Sequence, residues 1–213
     1  MHIPDGILPL PATLGGYAVS FGIAWYCIRT INQRTDPRED VPKAALFTAA
    51  FFAASLIQIP LPPASVHFVL AGLLGALLGL FAFPAILVGL FFQAVMFGHG
   101  GLTTLGINGV IVGLPALMAA GIFQRRKRTS CPSDRRTAIF GFVAGAGATA
   151  ISVVLFALIL VFWMPAHLDA AVERSALMLL MLSHIPLVLV EGAATAFIVV
   201  YLRRVKPQLL GHK

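Results

Sequence analysis

Ala138-Ile139-Phe140-Gly141-Phe142-Val143-Ala144-Gly145-Ala146-Gly147-Ala148-Thr149-Ala150-Ile151-Ser152-Val153-Val154-Leu155-Phe156-Ala157-Leu158-Ile159-Leu160-Val161-Phe162-Trp163-Met164 runs without one charged side chain. It exceeds the ~20 residues an α-helix needs to cross a bilayer. Its apolarity is continuous rather than alternating, which fits a membrane helix and not a barrel strand. Six further segments of this kind flank it, at roughly 9–29, 43–60, 65–82, 84–99, 105–123 and 175–202. Of the 213 residues, 59% are hydrophobic and 11% charged, with a mean hydropathy of +0.92, far above a soluble domain. The expected fold is an all-α polytopic membrane protein of about seven transmembrane helices. A single integral-membrane domain over 1–213, bathed in membrane lipid, accounts for the length.

The net charge of +7 does not point to nucleic acid, because the basic residues fall in short blocks between apolar runs. One block holds Arg29, Arg34, Arg38 and Lys43. A loop over 124–137 holds Arg125, Arg126, Lys127, Arg128, Arg135 and Arg136. The tail over 203–213 holds Arg203, Arg204, Lys206 and Lys213. Seven spans put all three blocks on one face, which the positive-inside rule assigns to the cytoplasm, with the N-terminus outside. Of 15 Lys and Arg, only Arg174 falls outside these blocks. An even number of spans scatters them over both faces. Cys27 and Cys131 lie in or beside basic blocks and read as reduced cytoplasmic thiols. Residues 1–8 lack a basic n-region and lead straight into the first span, so no cleavable signal is expected.

Small residues recur at four-residue spacing, as Gly75/Gly79, Gly141/Gly145 and Ala144/Ala148. Such pairs let helices approach closely in lipid, either within the bundle or against a second membrane protein.

The start, Met1-His2-Ile3-Pro4-Asp5-Gly6, carries the chemistry. A free α-amine on Met1, the amide nitrogen of His2 and the His2 imidazole close a five-membered and then a six-membered chelate ring. Planar nitrogen sets suit Ni²⁺ or Cu²⁺ and can hold Co²⁺, whereas tetrahedral Zn²⁺ fits poorly. A frayed, functionless end is the plain alternative. Pro4 holds Ile3 extended, and Pro4-Asp5-Gly6 reads as a tight turn that caps the first span or folds residues 1–8 back into the bundle. On this topology His2, His67, His99, His167 and His184 lie near the outer face and His212 inside. His67, at the start of the third span, is the natural fourth nitrogen. A hydrogen-bonding or interfacial histidine is its other reading.

Glu191 is the one carboxylate inside an apolar run, and a charge there is costly and usually functional. It lies two turns from His184 on the same face, with Pro186 between them expected to kink the helix. Either this pair orients a site or moves a helix, or Glu191 is protonated and satisfied by Gln93. The glycine-rich stretch Phe97–Asn108 contains His99, a candidate ligand or gate. Thr103 or Thr104 is expected to cap the fifth span. No His-Glu-x-x-His, Gly-x-Ser-x-Gly or phosphate-loop motif occurs, so any ATP use belongs to a partner.

These residues resemble the CbiM/NikM family, the substrate-capture (S) components of energy-coupling-factor (ECF) ABC transporters for cobalt and nickel. The resemblance rests on Met1–Gly6, Ser65-Val66-His67, Phe92–Asn108 and His184–Gly192, in family order. Gln124–Arg136 and residues 164–183 carry no matching motif. The resemblance implies a seven-helix bundle in a prokaryotic cytoplasmic membrane. It implies a metal held by Met1, His2 and His67, with His99, Gln93, His184 and Glu191 as residues that orient or gate the site. Ni²⁺ or Co²⁺ is then the transported substrate, the cobalt feeding cobalamin biosynthesis, and no tightly bound organic cofactor is expected. Implied partners are a transmembrane coupling (T) protein, cytoplasmic ABC ATPase subunits and a small accessory membrane subunit. Two other classes stay open: an intramembrane metal-dependent enzyme built on His184, Glu191 and His99, and an S component for a small organic substrate.

Overall fold

A computed structural model describes residues 2–61, 64–125, 133–163 and 170–210. The chain forms α1 (Leu10–Asn32), α2 (Val41–Ser55), strands β1 (Gln58–Leu61) and β2 (Ala64–His67), α3 (Ala71–Leu78), a 3-10 turn (Gly79–Phe81), and α4 (Ala82–Phe97). Then come α5 (Leu105–Gln124), α6 (Asp134–Phe162), α7 (Ala170–Ser183), α8 (Ile185–Val205) and a final 3-10 turn (Pro207–Leu210). Among the described residues, four stretches are long and apolar enough to cross a membrane: Ala71–Phe97, Leu105–Gln124, Asp134–Phe162 and Leu177–Val205. Their outer faces carry bare apolar side chains such as Val95, Leu158, Phe162 and Phe197. A soluble monomer rarely exposes such a surface; a lipid-facing one requires it.

The interior is built on α5, which packs against α1, α3, α4 and α6, and on the close α6–α8 pair. Small residues set these distances. A side chain on Gly72 would strike the Ala144 carbonyl and Gly145 Cα, and one on Gly75 would strike the Ala116 carbonyl. Gly141 and Gly145 face α8, at Val199 and Thr195, while Ala144 and Ala148 are buried in the core. The small-residue pairs are thus used within the bundle.

Two expected spans have a different shape. The 43–60 segment leaves its helix at Ser55, and the 65–82 segment is not one helix. Strands β1 and β2 pair antiparallel, with Gln58 opposite His67. Residues 68–70 continue outside any helix, and α3 then runs for only eight residues, about 12 Å of rise, before the 3-10 turn at Gly79–Phe81. Such a backbone is tolerated inside a membrane bundle only where protein satisfies it. Gly79 then breaks the chain at φ 60° between α3 and α4.

One end of the bundle gathers the basic connections. Arg34 lies over the Phe81 ring, Gly79 sits beside Gln124, and Arg203 and Arg204 pair with Asp134 at 2.7 and 2.6 Å. Asp134 opens α6 next to the Ser133 cap, whose hydroxyl accepts the Arg136 N–H at 3.2 Å. Residues 126–132 of the basic loop, with Cys131, lie outside the described residues, as do His167 and His212. Cys27 is a buried free thiol.

Gly72→Val is expected to destabilise the bundle by about 1–3 kcal/mol, because backbone atoms cannot move aside. Gly22→Ala, with nothing within 4 Å of the added carbon, is expected to stabilise α1 by about 0.5–1 kcal/mol. Thermal unfolding of the detergent-solubilised chain reads both, and the two shifts should have opposite signs.

Candidate metal centre

The end of the bundle opposite the basic connections is organised by the N-terminal segment. Ile3 is fully buried. Its N–H donates to Asn108 Oδ1 at 2.9 Å, and its carbonyl accepts from Asn108 Nδ2 at 3.0 Å and the Thr104 hydroxyl at 2.6 Å. One residue of extended chain is therefore fully paired by two side chains of the α5 start. Pro4-Asp5-Gly6 makes the turn that the residues predict, with Gly6 at φ 84°. The Asp5 carboxylate accepts from the Thr103 hydroxyl at 2.5 Å and from the Thr103 and Leu102 N–H groups at 2.8 and 3.2 Å. The hydroxyl bond, with these amides, holds the Asp5 carboxyl below its usual range. Tyr17 on α1 donates to the Leu102 carbonyl, and Ser20 donates to the Gly106 carbonyl at 2.6 Å, pinning the same loop from the other side.

This corrects the expected role of the threonines. Thr104 occupies the cap position just before α5 but makes no side-chain cap. Its hydroxyl and that of Thr103 bind the N-terminal segment instead.

The clamp carries His2 to His67 and His99. The His2 and His67 rings stack with centroids 5.0 Å apart and planes 19° apart. His99 meets them edge-on, at 5.0 Å from His2 and 4.7 Å from His67. One donor nitrogen from each of the three lies within 4.8 Å of the others. Both nitrogens of His2, Nε2 of His67 and Nε2 of His99 are buried with no hydrogen-bond partner among the described residues. Burial holds the His2 imidazole well below its usual range, so it is neutral and its lone pair is free. Unpaired buried nitrogens cost free energy. Several facing one another at this spacing fit a shared divalent ion, which imidazole binds at ~2.0–2.1 Å. Met1 lies outside the described residues.

The remaining candidates take other places. Gln93 is fully buried, and its Nε2 donates to Ser55 Oγ at 2.7 Å, tying α4 to the end of α2. It therefore does not serve Glu191. The Gln93 backbone carbonyl accepts the His99 N–H at 3.1 Å, and Gly98 at φ 61° ends α4 beneath it. Glu191 accepts the Val69 N–H at 2.5 Å and the Leu70 N–H at 3.0 Å. Leu70, at φ 48°, is the one non-glycine residue with positive φ among the described residues. Glu191 thus fills the gap that the extended chain after His67 leaves, and links α8 to the site. His184 is not one of the three clustered imidazoles but lies near enough to act electrostatically on His67, and its Nδ1 sits against the Leu180 carbonyl at 2.7 Å. The helix breaks at His184, and Pro186 falls in the first turn of α8, where its missing N–H costs nothing. The expected mid-helix kink is instead a junction between two helices.

Asn108 and Asp5 were not singled out from the sequence as parts of the site. The available signal was one amide side chain in the first turn of an otherwise apolar helix, where only a specific partner repays its burial.

Comparison with known proteins gives a consistent picture. The family described as "Cobalt uptake substrate-specific transmembrane region" matches residues 2–209. A Haemophilus influenzae protein named for metal transport is 32% identical over 99% of this chain and 97% of its own length. The fused nickel transport protein NikMN of Rhodobacter capsulatus is also 32% identical, over 99% of this chain and 64% of its own. A solved transition metal transporter superposes with a TM-score of 0.75 at 26% identity, covering 96% of this chain and 93% of that one.

Asn108→Ala leaves the buried Ile3 N–H without its acceptor and takes one donor from the Ile3 carbonyl, at a cost of about 1–3 kcal/mol. Hydrogen exchange at the Ile3 amide should quicken by roughly 5–150-fold while α5 and α6 keep their protection. The Asp5 contribution is present in full above the ordinary carboxylate range. It is lost as pH falls through that range toward the lowered folded value, so protection of residues 2–6 should fall with acid, and Asp5→Asn should flatten that response.

Proposed function

This chain belongs to the CbiM family of cobalt-uptake substrate-specific transmembrane regions, and on that footing we propose that it captures Ni²⁺ or Co²⁺ for ATP-driven uptake through its clamped N-terminal segment. The observation that carries this reading is the set of buried, unpartnered imidazoles of His2, His67 and His99, held where Asn108 and Thr104 fix Ile3. In the loaded state the Met1 amine, the His2 amide nitrogen and imidazole, and the His67 imidazole surround the ion. Selection comes from this planar preference, since affinity alone favours Cu²⁺. The amine and the amide must each lose a proton, so binding tightens as pH rises.

The imidazole end faces outside and the basic end the cytoplasm of a prokaryotic inner membrane, in line with the placement of Lys and Arg. A transmembrane coupling protein and ABC ATPase subunits supply the energy, and the fused NikMN and CbiMQ relatives fit an assembly of several membrane parts. Whole-chain domain organisation follows the same plan, with residues 1–8 as the metal-binding arm. Transport rather than catalysis fits the engaged state of the other polar groups: Glu191 binds backbone N–H groups and His184 a backbone carbonyl, so neither stands free as an acid or base.

Placing one residue before Met1, or acetylating its amine, should remove the planar Ni²⁺ complex and its optical spectrum while leaving helical content unchanged. His67→Ala should weaken Ni²⁺ binding by about 100-fold or more. Titration of the purified chain with Ni²⁺ and with Co²⁺ checks both. Retention of full affinity by the extended chain removes the N-terminus from the site.

A further inference from the structure

The proposed planar set has a kinetic difficulty. Neither an ammonium nor an amide N–H binds a metal until its proton leaves, and a backbone amide gives up its proton near neutral pH only when a metal already held beside it polarises the bond. An arriving ion therefore needs neutral donors first. The three imidazoles are such donors, and the one that the planar set does not use is His99.

His99 is placed with unusual care for a loop residue. Gly98 ends α4 in a left-handed conformation, and the His99 N–H is tied back to the Gln93 carbonyl at 3.1 Å. Gly100, at φ 82°, seats its backbone against His2, so that an added side-chain carbon would lie 3.4 Å from His2 Cβ and 3.2 Å from Asn108 Nδ2. Gly101 leaves room for Asp5, which would collide with any side chain there. The loop that carries His99 is thus fitted to the N-terminal segment on two sides. Its Nε2 is buried and unpartnered, within 4.8 Å of the donor atoms of His2 and His67. Its ring stands 68° and 87° from theirs, so its lone pair approaches from a different direction.

We propose that His2, His67 and His99 form a distinct three-imidazole loading site, which takes the divalent cation before the planar set assembles and holds it again on the way out. This rests on the capture reading above. The ion enters hydrated, and as the three imidazoles bind it sheds all of its waters but one. The Met1 ammonium and the His2 amide then each release one proton to solvent as their nitrogens bind, and His99 is left behind. Three imidazoles plus water suit a four-coordinate ion, so this state accepts Co²⁺ readily and discriminates less than the planar one.

The test uses the full chain in detergent, with Co²⁺ or Ni²⁺ alone as the probe. With the Met1 amine acetylated, the planar set cannot form, and the chain should still bind Co²⁺ more weakly, with the intense visible absorption of a four-coordinate ion. His99→Ala in the acetylated chain should abolish that signal. Absence of the signal before substitution, or its survival in His99→Ala, overturns the loading site. In the unmodified chain, His99→Gln should slow Ni²⁺ association by about tenfold or more in stopped-flow, with helical content measured alongside. An unchanged association rate also overturns it. If the unmodified wild-type chain binds neither ion, the capture reading fails and the loading site with it. If that chain binds Ni²⁺ normally and the acetylated chain shows no Co²⁺ signal, only the loading site fails.

Discussion

Two segments of non-helical backbone enter an apolar helical bundle, and each brings N–H and C=O groups that no helix can pair. Everything particular about this protein follows from how those groups are satisfied. The Ile3 N–H and carbonyl are paired by Asn108 and Thr104, and the Asp5 carboxylate ties the turn to Thr103. The chain after His67 is paired by Glu191, reaching from α8 to the Val69 and Leu70 N–H groups. In a lipid-surrounded interior each unpaired group costs several kcal/mol, so these side chains are structural requirements of having extended chain there at all.

That requirement explains the position of the candidate site. Extended backbone presents its amide nitrogens and side chains to a cavity, whereas a helix ties its amides up in its own ladder. The cluster of His2, His67 and His99 rests on such chain, which the paired strands β1 and β2 and the segment at 2–6 supply from two sides. The pairing residues come from α5 and α8. Both helices pack against α6, and α5 also holds α1, α3 and α4. Through Glu191, α8 is bonded to the backbone two and three residues after His67.

Much of the architecture could be read from the residues. The helical segments, the gathering of Arg34, Gln124, Asp134, Arg203 and Arg204 at one end, and the turn at Pro4-Asp5-Gly6 follow from local pattern. Hydropathy failed at 65–82 because it measures transfer to lipid and not backbone geometry: Val66, Val69 and Leu70 are equally apolar in a strand, a left-handed turn or a helix. It gave the threonines to a helix cap because capping is a local rule, whereas Thr103 and Thr104 bind residues 98 and 101 positions away. Gln93 was paired with Glu191 on polarity alone, and both found partners nearer to hand.

Composition and charge order by themselves determined that the chain is a bundle of apolar helices with its basic links together, because burial in lipid and the cost of moving cations across it act on each segment separately. The residue types at positions 2, 67 and 99 also announced metal-binding chemistry. Only the tertiary structure decided that these three histidines meet. It also decided that the N-terminal segment is clamped rather than frayed, and that Glu191 serves the backbone beside His67. Those outcomes depend on hydrogen bonds between residues about a hundred positions apart. Such a bond forms only after the helices have packed, and no local pattern encodes which distant amide will be left needing a partner.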